Sequence, residues 1–191
     1  MLSAYSQGQR DFQGLQLPGA RLGGAILSRT NLSRADLAHA NLHRANLMGC
    51  NLTAANLIQI QGMEANLCGA QLSEARLIEA CLDGVYLRDG RLMRADCRVA
   101  HFAQANLIGA NFHRAQLTGA VLTHARLRAA QLTGANFVGA DLRGADLTGA
   151  NLEEAKLEAA NLMGALYDAQ TCFPQGWDPR PAGLLYRKGS V

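Results

Sequence analysis

The feature that most limits how this chain can fold is a period of five. Counting every fifth residue from Phe12 to Tyr167 gives 32 positions, and 25 of them are Leu; the others are Phe12, Gly62, Cys97, Phe102, Phe112, Phe137 and Tyr167. Two residues earlier, from Arg10 to Ala165, 25 of 32 positions are Ala; the others are Arg10, Leu15, Thr30, Cys50, Ile60, Val85 and Gly90. The register never slips. On an α-helix five residues turn the chain by about 500°, so successive leucines stand ~140° apart and share no face. On a straight strand, residues five apart point to opposite sides. The Ala and Leu of one unit share a face of extended chain, but the next Ala lies an odd step further on. Only a turn inside every unit brings it back to the interior. A turn at each unit winds the chain around one axis.

The residues between suit that winding. Gly recurs two positions after the central residue, as at Gly14, Gly49, Gly109 and Gly144, where tight turns need it. Asn or Asp commonly precedes the central residue, and these short side chains hydrogen-bond nearby backbone at corners. The pattern A-(N/D)-L-x-x, seen in AHANLHRANL, TGANFVGADLRGADLTGANL and EAANLMGAL, resembles the pentapeptide-repeat family. The likeness extends over residues 10–169. It implies an all-β fold, a right-handed quadrilateral parallel β-helix of about eight coils with short terminal caps. The period itself does not choose four sides over three. Eight coils at a β-like spacing of ~4.8 Å make a rod roughly 40 Å long.

Three segments follow: an N-terminal cap over 1–9, the repeat β-helix over 10–169, and a C-terminal cap or tail over 170–191. A short helix in residues 1–10 is expected to place Leu2 and Tyr5 on one side. In the tail, Phe173, Trp177, Leu184, Leu185 and Tyr186 gather with three of the four prolines. They are expected to close the last coil, since a solenoid must cover its unpaired ends. The ends resemble the caps of family members from photosynthetic bacteria, and the resemblance leaves a homodimer through the C-terminal end open.

Composition narrows function. Hydrophobic residues make up 49% of the 191, mostly Ala and Leu, with 5% aromatic, 17% charged and a net charge of +3. That charge suits neither a strong nucleic-acid binder nor an acidic mimic of nucleic acid. The five cysteines, Cys50, Cys68, Cys81, Cys97 and Cys172, fit no disulfide or metal spacing and read as reduced thiols. With no secretory signal and no membrane-spanning stretch, a soluble cytoplasmic protein is expected. No cofactor, metal or small-molecule substrate is implied.

Breaks in the repeat mark the places to search. Ile60 and Gly62 replace the inward Ala and Leu of one unit. Ile60 is expected to fill the volume that Gly62 vacates; the functional alternative is a ligand pocket there. With four sides, Arg91, Met93, Arg94, His113 and Arg114 share one face over two coils, and Arg88 and Arg98 flank it. This is a candidate partner-binding surface, with Glu74 in the column of Arg94 as a local partner. Ile58 and Ile78 stack beside Ala38 as a small apolar patch, a pointer to a protein partner. Cys81 and His101 fall in one outward column near Asp83, a pair that in other settings makes a nucleophile or part of a metal site. Two ligands are too few for a structural metal, and GxSxG, P-loop and HExxH motifs are absent, so no catalytic residue is assigned.

The expected function is therefore a non-catalytic protein-interaction scaffold, with a protein partner and no membrane. Some family members interact with regulators of cell differentiation, which implies a regulatory role. The alternative is a DNA mimic that modulates a type II topoisomerase, as the resemblance also allows. The slightly basic charge disfavours it. Direct nucleic-acid binding is disfavoured too, since Tyr86 is the only exposed aromatic near the arginines.

Overall fold

The computed structural model describes residues 1–188. Parallel bridges join residues 20 apart throughout the repeats: Asp11 to Asn31, Gln16 to Asp36, Arg21 to Asn41 and Ile26 to Asn46 begin four ladders. We number these ladders 1 to 4 in that order. Because the chain bends in every unit, each contact is a single bridge, and among the described residues only two short strands extend beyond that. These are β1 (Leu166–Tyr167) and β2 (Leu185–Tyr186), paired in parallel.

One unit shows why this sequence winds this way. Leu32 N–H donates to Asn51 C=O at 2.7 Å and Arg34 N–H to Thr53 C=O at 2.9 Å, both in the next coil. Asp36 N–H donates to Leu15 C=O at 3.0 Å in the preceding coil, and Ala35 N–H closes the turn on Leu32 C=O at 3.0 Å. The one remaining donor, Ser33 N–H, is taken by the Asn31 carboxamide at 3.1 Å. The Asn or Asp before the central residue thus completes the unit's hydrogen bonding, which buried backbone requires. The same bond recurs from His43 to Asn41 at 3.0 Å, from His113 to Asn111 at 2.9 Å and from Met163 to Asn161 at 3.1 Å.

The turn sets the conformation of the residue after next. A positive φ recurs at every fifth residue from Gly14 to Gly164, at Gly in some units and at residues such as Arg34, Glu74 and Ala129 in others. One positive-φ residue at the third turn position is the pattern of a type II turn.

Inside, leucines and alanines of the repeat are almost all fully buried. Phe102 and Phe112, on ladders 3 and 1, meet edge to face across the axis at 6.2 Å. Where Thr30 and Cys50 replace stacked alanines, their side chains bond each other at 3.1 Å, and both reach Leu27 C=O. These two buried polar side chains thus find their hydrogen-bond partners within the core. Ile60 is buried, and its Cδ1 lies 3.6 Å from where a Cβ on Gly62 would stand. The void left beside Gly62 is about 10 Å³, too small to hold a water comfortably, let alone a ligand.

The ends differ from the rod. α1 (Leu2–Ser6) lies over the first coil. Tyr5 packs on the core with Met1 and Ala4, whereas Leu2 stays exposed. Helix position explains this: with Tyr5 and Met1 four residues apart on the inner side, Leu2 is rotated outward. Arg10 does not point inward as the alanines after it do. Its guanidinium lies 3.8 Å over the Tyr5 ring and donates to Tyr5 C=O at 2.8 Å, pinning the helix down.

At the other end Tyr167, Phe173 and Trp177 form a chain of ring contacts at 5.6 and 4.9 Å, and Leu184 is buried. Leu185 and Tyr186 are exposed, with the Tyr186 ring edge-on to Tyr167 at 5.3 Å. One residue is added here, since Asn151 bridges Cys172 rather than residue 171. Asp168 and Thr171 absorb it by receiving Gly149 N–H at 2.9 and 3.2 Å.

Candidate interaction surface

The residue at each bridge and the two that follow the buried central residue point outward, so the ladders dictate which surface side chains become neighbours. Ladder 1 brings Arg91, Met93 and Arg94 beside Asn111, His113 and Arg114 on the next coil. Ladder 2 carries Ile58 and Ile78 on consecutive coils, but both are half-buried and Ala38 is buried. Ladder 3 makes Cys81 and His101 bridge partners. Nearby, the Asp83 carboxylate accepts Ala103 N–H at 2.8 Å. Asp83 so replaces the Asn that other units use, because His101 stands where that Asn would be. No group of three or more His, Cys, Asp or Glu could hold a metal among the described residues.

The arginines separate into tied and untied groups. Arg98 is clamped by Asp96 with two bonds of 2.8 and 2.7 Å, across the inward residue between them. This pairing holds the Asp96 carboxyl below its ordinary value and raises the guanidinium above its own. Arg88 reaches Asp89 at 3.3 Å, and Arg94 reaches Glu74 at 3.9 Å; both pairs are solvent-exposed and contribute little. Arg91, Arg114, Arg126 and Arg128 have no carboxylate within ion-pair distance among the described residues.

Arg126 and Arg128 were not among the sequence candidates. They flank Leu127 on ladder 4, whose outward side also carries Tyr86, Arg88, Asn106 and Ile108. Residues 81–130 hold seven arginines and three aspartates, with no Lys or Glu. Two grooves border ladder 4. One, of about 580 Å³, is lined by Glu64, Asp83, Tyr86, Gln104, Asn106 and Arg126. The other, of about 340 Å³, is lined by Arg88, Ile108, Arg128, Thr148, Asp168 and Gln170. Both exist because small residues interrupt the surface: Gly84 and Ala103 in the first, Ala129 and Gly149 in the second.

The sequence holds a signal for this region. Five consecutive units give up the Asn or Asp that completes the backbone bonding, at Gln71, Arg76, Cys81, Tyr86 and Arg91. A position that abandons its structural amide is free to carry a recognition side chain.

The repeat geometry agrees with comparison to known proteins. The family described as Pentapeptide repeats (8 copies) matches residues 16–53, 63–89, 95–130 and 125–164. This chain is a member of the pentapeptide-repeat family. Its fold is therefore that of the family's β-helix solenoids. The chain is similar to the crystal structure of HetL, a pentapeptide repeat protein involved in heterocyst differentiation regulation from the cyanobacterium Nostoc sp. strain PCC 7120. The two are 28% identical over 96% of this chain and 90% of HetL, with a TM-score of 0.55. It is also similar to trypsin-treated QnrB1, a plasmid-mediated fluoroquinolone resistance protein, at 23% identity over 93% of this chain and 89% of QnrB1, with a TM-score of 0.60. The second likeness concerns the fold alone. No curated protein matches the sequence.

Proposed function

We propose that this pentapeptide-repeat protein is a non-catalytic, cytoplasmic protein-interaction scaffold with a regulatory role. We read it as a right-handed, four-sided coil of about eight turns that holds its outward side chains at fixed spacing. One observation carries the reading: a nearly invariant Leu and Ala interior supports an exterior that concentrates seven arginines in residues 81–130, four of them without an ion pair among the described residues. A stiff solenoid presenting a varied exterior is the common design of repeat binders. The likeness to HetL, itself involved in differentiation regulation, supports the regulatory part.

The candidate surface combines ladder 1 (Arg91, Met93, Arg94, His113, Arg114) with ladder 4 (Tyr86, Arg88, Ile108, Arg126, Arg128). Mimicry of DNA toward a type II topoisomerase is a poorer reading, because a net charge of +3 opposes binding in a groove built for a polyanion. A homodimer through the C-terminal end belongs to the same proposal, with Leu185 and Tyr186 exposed there.

Affinity capture from the source cell tests the reading. A specific protein partner is expected to be retained by the native chain and lost when Arg91, Arg94, Arg114, Arg126 and Arg128 are changed together to Glu. Recovery of no protein partner counts against it.

A further inference from the structure

Ladder 4 stacks Arg88, Ile108 and Arg128 in one outward column, and all three line a single groove of about 340 Å³. One coil separates each from the next, so the two arginine stems stand roughly 10 Å apart with the isoleucine between them. Ile108 is half-buried, so it forms a floor, whereas both arginines are exposed. Arg128 has no carboxylate partner among the described residues, and Arg88 has only the exposed Asp89 at 3.3 Å. Beside this column runs a second one, Tyr86, Asn106 and Arg126, which lines the larger groove.

We infer that ladder 4 binds a short, extended, acidic segment of a partner protein, laid along the rod with an apolar residue between two carboxylates. The inference rests on the reading of the chain as a protein-interaction scaffold and adds the partner's chemistry to it. In an extended segment, side chains at alternate positions share a face, and an acid–x–apolar–x–acid run spans about 13 Å. Arginine stems are flexible, and their forked heads splay to meet carboxylates slightly wider apart than their own bases. Each carboxylate meets a guanidinium, which bonds it in bidentate fashion. The apolar residue covers Ile108, and Tyr86 and Arg126 supply the aromatic and arginine anchors common at the centres of interfaces.

The same surface suits a nucleic acid poorly. A duplex carries one charge per ~1.7 Å, whereas here Glu64 and Asp83 line the groove of Arg126, and Asp168 lines that of Arg88 and Arg128 with its carboxylate already accepting from Gly149, Gln170 and Thr171. A single exposed tyrosine makes no stacking platform for successive bases.

The test uses fluorescence anisotropy with the full chain and three labelled probes: a peptide with two Glu-Ser-Leu-Ser-Glu runs, the same peptide with each Leu replaced by Ser, and a twelve-residue oligodeoxythymidine. The Glu/Leu peptide is expected to bind best, and to lose affinity tenfold or more without its Leu. The Arg88→Glu/Arg128→Glu variant is expected to lose tenfold or more, Ile108→Thr at least threefold, and Arg143→Gln, whose guanidinium is already held by Asp141, less than twofold. No peptide binding, equal losses in all variants, or tighter binding of the oligonucleotide overturns the inference. If affinity capture still recovers a partner with Arg88→Glu/Arg128→Glu, the scaffold reading stands and this inference alone falls.

Discussion

Ile60 and Leu82 together occupy the place of the side chain that Gly62 lacks: Leu82 Cδ2 lies 2.8 Å and Ile60 Cδ1 3.6 Å from the position of a Gly62 Cβ. Restoring the repeat at one of these positions alone therefore harms the core. Ile60→Ala opens a cavity and is expected to cost about 2–4 kcal/mol. Gly62→Leu overfills the same space, at a cost of about 1–3 kcal/mol. The double variant restores an ordinary unit and is expected to approach native stability. Urea denaturation of all four proteins reads the coupling; single effects that simply add would contradict the packing.

The thiols divide by burial. Cys97 is fully buried, and burial, helped by the Asp96 charge, pushes its thiol up; burial does the same to Cys50 against the opposing Thr30 hydrogen bond. Only a thiolate reacts readily. Native protein at pH 8 is expected to label at the exposed Cys172 first, and at Cys50 and Cys97 only after unfolding. Mass spectrometry of iodoacetamide-treated protein reports this directly.

Turn residues offer a test of backbone strain. Ala54 sits at φ 55° in open surface, a conformation that costs an L-residue roughly 1–2 kcal/mol. Ala54→Gly relieves that strain but gives the unfolded chain more freedom, leaving an expected gain of about 0.5–1 kcal/mol. Gly109→Ala goes the other way. Its φ is 67°, and a Cβ there would meet the Asp89 carboxylate. A lower urea midpoint is expected for Gly109→Ala and a higher one for Ala54→Gly.

The extra residue before Cys172 depends on Asp168. Burial alone would raise its carboxyl pKa, but hydrogen bonds from Gly149, Thr171 and Gln170 outweigh it and hold the group below its ordinary value. A lowered folded pKa contributes stability above the unfolded value, and this is lost as pH falls through the folded one. Asp168→Ala is expected to lose about 0.5–2 kcal/mol at pH 7, by analogy with other side-chain caps. The loss should shrink under strongly acidic conditions. A difference in Tm that stays constant from neutral to acid would oppose this account.

Much of the interior is legible in the sequence because burial fixes it. A period of five with Leu and Ala leaves one way to hide both, and even the departure at Ile60 and Gly62 is readable as an exchange of volume. The exterior is legible only in part. Arg88 to Arg114 cluster along the chain itself, whereas Arg126 and Arg128 join them only through the 20-residue ladder. Arg98 lies in the same cluster, but Asp96 stands across Cys97 in position to bind it. Ile58 and Ile78 point outward yet are half-covered. The grooves are harder still, since they consist of what Gly84, Ala103, Ala129 and Gly149 leave empty.

The ladder of bridges 20 residues apart also restricts how such a protein can change in length. Removing or adding one residue inside the rod would turn every later Leu away from the axis unless it is looped out, as the extra residue before Cys172 is. A change of five between residues 88 and 126 keeps the core but rotates all later surface by one ladder, so that Arg126 would no longer stand above Tyr86, nor Arg128 above Arg88. Only a step of 20 leaves both interior and exterior in place, extending the rod by a single coil of about 4.8 Å. The docking face is thus tied to a counting rule, and length variation among related rods should come in whole coils wherever the bound partner is shared.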